Sequence, residues 1–430
     1  MLSWSSSQCY SAPVRLPGAL LLSAGLLLAC ATRSGAATGA DSSSVAREPV
    51  TWSTLVAGHA EIKFYGFFRL DMIYDDSRPN SFESPRYVFS EDPALGPENQ
   101  QNFTMHPRLT RFGFDLKGRP LSHVGGAAVA GKLEMDFQNG GSESRQIIRI
   151  RHAYLQLAWH STTLLVGQTW DVIAPLLPTA NNDALMWDTG NIGDRRPQVR
   201  LTWNRVAGAG SFTLAGMAGL TGAVDSQDLD GNGVRDGEAS GLPNFQARAE
   251  YAAPIGADRW SIGLSGLDGS QKTATPVSGE TEFHPRVLAA DVRLPLRPWL
   301  TIQSEGWSGR NLTDFRGGIA QSVNTDPTSA AYGREIESHG AWIEAGVRVA
   351  RDWTLTPGFA LDDPDDGNLP AGTTQDDAGR TRNEAWYLTT RWQPESELLI
   401  GLDLLSWKTD YKAFASGDDG RVDLYVQYSF

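Results

Sequence analysis

A short stretch of Asp, Asn and Gly residues is the first candidate for chemistry in this sequence. Residues 228–236 read DLDGNGVRD, with side-chain oxygens at positions 1, 3, 5 and 9 and a glycine at position 6. Hard oxygen ligands in this order bind Ca²⁺ in EF-hand-type loops, and the glycine permits the sharp turn. The candidate metal ligands are Asp228, Asp230, Asn232, Val234 and Asp236.

The match to an EF-hand loop is incomplete. The glutamate expected at position 12 is absent, and Glu238 falls at position 11. The fit is therefore to shorter calcium loops without flanking helices. The alternative is a flexible turn rich in Asp and Gly. The sequence requires no cofactor, and Ca²⁺ in loop 228–238 is the one ion that it suggests.

Arginines on the polar side of alternating segments form a second candidate group. Guanidinium groups bind carboxylates through two parallel hydrogen bonds, so a row of arginines suits small anionic solutes. The alternative is that they pair with acids such as Glu134, Asp136 and Asp291 and only support the structure. The candidates are Arg111, Arg149, Arg151, Arg200, Arg248 and Arg293.

Motifs for hydrolytic or redox catalysis are not found. The seven histidines show no HExxH or other metal spacing, and neither GxSxG nor a phosphate-binding loop occurs. We therefore predict that the protein is not an enzyme. Asp and Glu number 50 against 37 Lys and Arg, which argues against nucleic acid as a partner because nucleic acid calls for clustered Lys and Arg.

The arginines lie in segments where apolar and polar residues alternate with a period of two. Residues 132–138, for example, read KLEMDFQ. Such a strand has one face for an apolar medium and one for a polar medium. The predicted strands are 61–75, 108–118, 124–138, 146–159, 162–169, 196–205, 210–218, 244–253, 258–267, 283–294, 299–309, 339–350, 353–361, 383–393, 396–410 and 420–430.

The connections between these segments alternate between long and short. Long ones such as 219–243 follow every odd-numbered strand, and tight turns such as 351–352 follow the even-numbered ones. Outer-membrane β-barrels have this arrangement, with an apolar face towards lipid and a polar face lining the lumen. We predict an all-β, porin-like transmembrane barrel of sixteen antiparallel strands. Four tryptophans beside short turns, typical of an aromatic girdle, are Trp260, Trp299, Trp353 and Trp392.

The N-terminal residues predict export. An apolar run from Gly18 to Ala29 follows a start with Arg15 as its one charge, and small residues come next, as in a secretory signal peptide. We predict a signal peptide over 1–37, a short periplasmic segment over 38–60 and the barrel over 61–430. The alternative is lipoprotein processing at Cys30, which closes a lipobox-like Leu-Leu-Ala-Cys.

The C-terminal residues predict insertion into an outer membrane. Residues 422–430 read VDLYVQYSF, so apolar side chains share one face and the chain ends at Phe430. A final amphipathic strand ending in Phe is the pattern read by the barrel-assembly machinery of Gram-negative bacteria. The expected surroundings of the barrel are outer-membrane lipids.

Seven stretches resemble a known family. They are FYGFFRLDMIYD (64–75), RHAYL (151–155), GQTWD (167–171), RPQVRL (196–201), GWSGRNLTDFRGG (306–318), LDDPDD (361–366) and WKTDY (407–411). In this order they resemble the DcaP-like trimeric outer-membrane transporters of the porin superfamily. The resemblance implies a trimeric, sixteen-stranded barrel that passes small solutes, with anions such as dicarboxylates preferred in some members.

The resemblance also implies a role for the third long connection, 170–195. Porins of this superfamily fold a loop at this position into the lumen, which makes Trp170 and Asp171 candidate pore residues. The alternative is a loop that caps the barrel from outside. We expect a passive outer-membrane channel for small hydrophilic solutes. The alternatives are a secreted or surface calcium-binding β-sheet adhesin and an outer-membrane barrel enzyme.

Overall fold

The computed structural model describes residues 55–57, 60–81, 84–96, 100–138, 146–180, 184–222 and 226–430. The predicted signal peptide, 1–37, lies outside these residues, as does nearly all of the predicted periplasmic segment, 38–60. A short strand, Leu55–Ala57, pairs with residues 60–62. Among the described residues, no helix is long and apolar enough to cross a membrane.

Sixteen antiparallel strands in the described part of the chain close into one barrel, which confirms the predicted fold. The last strand pairs with the first, from Phe67 opposite Ser429 to Asp75 opposite Arg421. The strands are β1 Ala60–Asp75, β2 Arg111–Leu121, β3 Ala127–Asp136, β4 Arg149–Ala158, β5 Thr162–Trp170, β6 Arg195–Ala207, β7 Gly210–Gly219, β8 Asn244–Ile255, β9 Asp258–Asp268, β10 Arg286–Arg297, β11 Leu300–Arg310, β12 Glu337–Arg348, β13 Trp353–Pro364, β14 Arg380–Trp392, β15 Leu398–Tyr411 and β16 Gly417–Ser429.

The long connections lie at one end of the barrel and the tight turns at the other. We name five of the long ones L1 (76–110), L3 (171–194), L4 (220–243), L5 (269–285) and L6 (311–336). Two of them contain strands that the sequence pattern did not predict. Asn102–His106 in L1 extends the pairing of β1, and Gln271–Val277 pairs with Glu280–Phe283 as a hairpin in L5.

The two faces of the wall differ as predicted. On β12, the Ile343 side chain is 49% exposed while its neighbour Glu344 is 3% exposed. On β6, Val199 is exposed and Gln198 is buried. Apolar side chains therefore point outward and polar ones inward, which suits a wall surrounded by lipid. Because the described strands close into a ring, the wall has no open edge strand, as a membrane requires.

The four predicted girdle tryptophans lie beside the short turns. Trp299 occupies the turn between β10 and β11 and is exposed on the surface. The rings of Trp353 and Trp392 lie 6.2 Å apart on neighbouring strands. Indole rings at this level suit the boundary between lipid and water at the turn end of the barrel.

Inside the lumen, three tyrosines lie across glycines of the adjacent strand. Gly401 on β15 faces Tyr425 on β16, and a Cβ at Gly401 would stand 2.0 Å from the tyrosine ring. The same close approach joins Gly358 to Tyr387 and Gly113 to Tyr65. Only glycine leaves room for the ring here, so these pairs fix where the tyrosine hydroxyls point.

Candidate functional site

L3 lies inside the barrel and crosses the lumen. Its backbone amides donate to inward side chains of three strands. Val172 N–H donates to Gln246 of β8 at 3.0 Å, Leu176 N–H to Glu305 of β11 at 2.6 Å, and Thr179 N–H to Glu344 of β12 at 2.9 Å. These contacts carry the loop from its start after β5 to the opposite wall.

Apolar packing holds the far end of L3. Ala180 and Met186 are completely buried against Trp342 and Trp407 of the wall. The Trp307 indole donates to the Gly190 carbonyl at 2.8 Å. Leu185, Met186 and Asp188 adopt left-handed backbone conformations, with φ of 52°, 57° and 58°. Non-glycine residues keep such conformations where surrounding contacts determine the path of the chain.

Two other loops fasten L3 from the end of the barrel where the long connections lie. Arg86 of L1 lies 3.6 Å from the Asp188 carboxylate, and Arg316 of L6 lies 2.8 Å from the Asp194 carboxylate. Both aspartates belong to L3. The loop is therefore held by side chains of the wall and by ion pairs to the neighbouring loops.

A cavity of about 280 Å³, here called the arginine cavity, lies between L3 and the wall. L3 contributes Leu177, Leu185 and Trp187 to its lining. Among the residues that the structure describes, no Asp or Glu lines it. Its guanidinium groups belong to Arg69, Arg111, Arg149, Arg151, Arg195 and Arg391.

Carboxylates behind the lining neutralise part of this charge. Arg151 donates to Glu134 at 2.8 Å and to Asp136 at 2.9 Å. Arg149 donates to Asp136 at 2.9 Å, and Arg111 lies 3.6 Å from Glu134. The pairing of β3 with β4 places Asp136 opposite Arg149. Three guanidinium groups thus share two carboxylates, which leaves one positive charge in excess.

A second cavity of about 500 Å³ lies on the turn side of L3. Its charged lining residues are Arg293, Glu344, Arg348, Arg351, Asp352 and Arg391. The two cavities share Arg391 and Leu399. Arg391 donates to the Tyr425 hydroxyl at 3.1 Å and to the Thr179 carbonyl of L3 at 2.8 Å. This guanidinium therefore stands at the junction of the two cavities.

The predicted arginines occupy different surroundings. Arg111, Arg149 and Arg151 line the arginine cavity, and Arg293 lines the second cavity while it donates to Asp258 at 3.1 Å. Arg200 and Arg248 line neither cavity. They donate to Gln198 at 2.9 Å and to Asp291 at 2.7 Å. Contact of any of the six with solute stays a prediction.

The two candidate pore residues where β5 joins L3, Trp170 and Asp171, line neither cavity. The Trp170 ring lies 4.5 Å from the Arg195 guanidinium. Asp171 is buried, accepts from Arg196 at 2.6 Å and accepts from Gln246 at 2.8 Å. In this structure they support the base of L3, and their contact with solute stays a prediction.

Three arginines of the arginine cavity were missed by the sequence reasoning. Arg69 and Arg391 occupy polar positions in alternating segments, so the period of two was enough to find them. Arg195 stands at the junction of L3 and β6, where the alternation begins and does not yet assign a face. Only the path of L3 shows that these side chains surround one space.

The candidate calcium ligands meet in L4. The Asp228, Asp230 and Asp236 carboxylates each offer an oxygen atom, and these atoms lie within 4.8 Å of one another. The Asn232 side-chain oxygen accepts from Val234 N–H at 2.7 Å. Burial raises the pKa of Asp236 to about 6, and the nearby charges of Asp228, Asp230 and Asp314 act in the same direction. Crowded carboxylates of this kind suit a divalent cation.

Known structures share this fold. The outer-membrane channel DcaP of Acinetobacter baumannii superposes with a TM-score of 0.68 at 19% identity, covering 87% of this chain and 99% of that one. OmpF of Salmonella typhi, solved with daunomycin, superposes with a TM-score of 0.54 at 10% identity, covering 87% of this chain and 98% of that one. The anion-selective porin from Comamonas acidovorans superposes with a TM-score of 0.52 at 11% identity, covering 86% of this chain and 100% of that one.

No protein-family model matches the sequence. No curated protein matches it either. The similarity is therefore one of fold: the chain has the sixteen-stranded barrel of outer-membrane channels.

Proposed function

We propose that the protein is a passive outer-membrane channel for small hydrophilic solutes, with a preference for anions such as dicarboxylates. The observation that supports this most is the arginine cavity, whose described lining has six guanidinium groups and no carboxylate. A unit charge about 4 Å from an ion changes its energy by roughly 1 kcal/mol in water and roughly 4 kcal/mol near a protein surface. An excess of positive charge at a narrow point therefore favours anions.

The arrangement of the arginines supports carboxylates as solutes. Arg69 and Arg391 lie on β1 and β14, whereas Arg149 and Arg151 lie on β4. A solute with a carboxylate at each end has a guanidinium group on both sides of the cavity to attract it. The proposal includes no catalytic step. The nearby carboxylates Glu134 and Asp136 are paired with arginines.

Ion selectivity tests this function. In a planar bilayer with a KCl gradient, we expect the zero-current potential to have the sign set by chloride. With disodium succinate in place of KCl, the zero-current potential should have the sign expected when the succinate dianion crosses more easily than Na⁺. A potential with the sign set by the cation in KCl would contradict the proposed anion preference.

We also propose that the barrel forms a homotrimer and that the barrel-assembly machinery recognises its final strand. Aromatic rings gather on the outer wall where β16 meets β1 and β2. The Phe430 ring lies 5.5 Å from the rings of Phe64 and Phe68 and 6.3 Å from that of Phe112. Phe68 is 58% exposed, so this cluster offers apolar area for contact between subunits.

Two variants test the contact between subunits and the recognition by the barrel-assembly machinery separately. Phe68→Ala should convert the trimer to monomer on unheated gels while the folded monomer still shifts on boiling. Phe430→Ala should instead lower the amount of heat-shifting barrel recovered from the outer membrane. A wild-type protein that is monomeric by mass in mild detergent would refute the trimer, and normal membrane yield of Phe430→Ala would refute the recognition of the last residue.

A further inference from the structure

We infer that L4 holds a Ca²⁺ site that fastens it to L5 on the extracellular side of the barrel. The ligands are the carboxylates of Asp228, Asp230 and Asp236, and the Asn232 side chain and Val234 carbonyl complete the set. This site is separate from the lumen, so it is independent of the proposed channel function.

The first observation is the carboxylate cluster. Three carboxylates approach one another within 4.8 Å on a segment whose spacing suits a calcium loop. Like charges this close repel one another, and the repulsion is relieved when a cation binds between them. The backbone of the segment already turns around Asp228, which accepts from Asn232 N–H at 3.1 Å and Gly233 N–H at 2.8 Å.

The second observation is independent of the first and concerns Asp236. Its residue surface is completely buried, at 0% exposure. One carboxylate oxygen, Oδ2, accepts from Leu229 N–H at 2.8 Å. The other, Oδ1, is buried and makes no hydrogen bond. A buried carboxylate oxygen without a partner is unfavourable, and a cation held between it and the neighbouring carboxylates removes the penalty.

Asp230 connects the cluster to the L5 hairpin. Its Oδ2 accepts from both Ala274 N–H and Thr275 N–H at 2.7 Å. Leu229 packs against Val277 and Phe283 of the same hairpin. A cation bound by Asp230 is thus attached to L4 through the chain and to L5 through this carboxylate. Binding would therefore hold the two loops together.

Asp314 extends the connection to L6. Its Oδ1 accepts from Gln227 N–H of L4 at 2.9 Å, and its Oδ2 accepts from the Gln271 side chain of L5 at 2.6 Å. Both carboxylate oxygens of Asp314 are thus occupied by hydrogen bonds. Asp314 supports the site and is not counted among its ligands. Ordering L4 therefore also orders the contact of three extracellular loops.

Glu238 is excluded from the ligand set. It pairs with Arg235 three residues earlier, on the exposed side of the short helix Asp236–Ala239. The site accordingly lacks the bidentate glutamate of an EF-hand. We expect an affinity in the range of extracellular calcium modules, about 0.1–1 mM.

Proteolysis of the whole barrel tests the site. Arg235 lies inside the loop with its side chain 42% exposed, so trypsin can cut there when the loop opens. In detergent, and free of lipopolysaccharide, the wild-type protein should lose this cleavage as CaCl₂ is raised, with a single midpoint. Calorimetric titration with CaCl₂ should give the same midpoint, and MgCl₂ should protect less because Mg²⁺ requires a stricter octahedral geometry.

Matched variants identify the ligands. Asp236→Asn should raise the calcium midpoint about tenfold or more, because ligand charge sets the affinity. Asp228→Asn, at a more accessible residue, should do the same without altering buried packing. Glu238→Gln removes an equal charge from the same loop and should leave the midpoint unchanged. The shift on boiling confirms that each barrel is folded.

Three results would overturn the inference. The first is cleavage at Arg235 that does not respond to calcium in the wild type. The second is full protection in both Asp228→Asn and Asp236→Asn. The third is a rise of the calcium midpoint in Glu238→Gln as large as that in Asp228→Asn and Asp236→Asn. This would indicate that the acidic loop attracts cations without a specific site.

Discussion

Arg391→Gln is expected to lower the anion-to-cation permeability ratio by roughly fivefold, equivalent to about 1 kcal/mol. The guanidinium stands where the arginine cavity joins the second cavity, so a solute that crosses from one to the other passes it. Its hydrogen bonds go to a hydroxyl and a backbone carbonyl, which leave its positive charge in place. The ratio is measured from the zero-current potential in a KCl gradient.

Two controls separate the charge of Arg391 from its position. Arg391→Lys keeps the charge and should preserve most of the ratio. Arg297→Gln removes the same charge from an exposed residue at a periplasmic turn and should have no effect. An unchanged ratio in Arg391→Gln would show that permeating ions do not pass this side chain. Equal losses in the Gln and Lys variants would assign the effect to the hydrogen bonds of Arg391.

The double variant Glu305→Ala/Glu344→Ala is expected to raise single-channel conductance. These carboxylates accept from Leu176 N–H and Thr179 N–H of L3, and Glu344 also accepts from the Thr179 hydroxyl at 2.9 Å. A hydrogen bond of this kind contributes roughly 0.5–3 kcal/mol, with the larger values for charged acceptors. Without them the middle of L3 keeps only weaker contacts with β11 and β12, such as the hydrogen bond from Gln303 to the Leu177 carbonyl at 3.3 Å, so we expect the space beside it to widen. Single-channel recording in symmetric salt measures the change.

The variant Glu305→Gln/Glu344→Gln is the matched control. It replaces the same two carboxyl groups but keeps acceptor oxygens of the same reach, so L3 should stay attached and the conductance should stay near that of the wild type. Both double variants should increase anion preference, because both remove negative charge from the lumen. Conductance equal to that of the wild type in the Ala variant would show that the other contacts of L3, namely the packing around Met186 and the ion pairs of Asp188 and Asp194, are enough to hold the loop.

The alternation of apolar and polar residues in the sequence was sufficient to predict the strands of the barrel wall. Period-two segments predicted sixteen strands, and the faces followed: Ile343 points to lipid and Glu344 points inward because adjacent residues of a strand face opposite sides. The L5 hairpin was missed because the sequence near 271–283 gives no strong alternation. The two short segments pair with each other and lie outside the wall.

The course of L3 could not be predicted from local pattern. It depends on pairs such as Thr179 with Glu344, which are 165 residues apart in sequence. That course also decides which inward arginines border an open space. Arg151 and Arg248 both occupy polar faces. Arg151 lines the arginine cavity, whereas Arg248 does not line it and is bound to Asp291 and Glu250. The sequence could therefore predict which arginines face inward, but it could not predict which of them border the open part of the lumen.

The pairing of β16 with β1 has a consequence for the folding of the barrel. A nascent or truncated chain that lacks β16 leaves β1 and β15 as two unpaired edges, and open edges are not tolerated in lipid and invite aggregation. Closure therefore joins the first and last strands of the described barrel, because Phe67 pairs with Ser429. A ring that lacks one strand would present unpaired backbone groups to lipid, so we expect the sixteen strands to fold and unfold together.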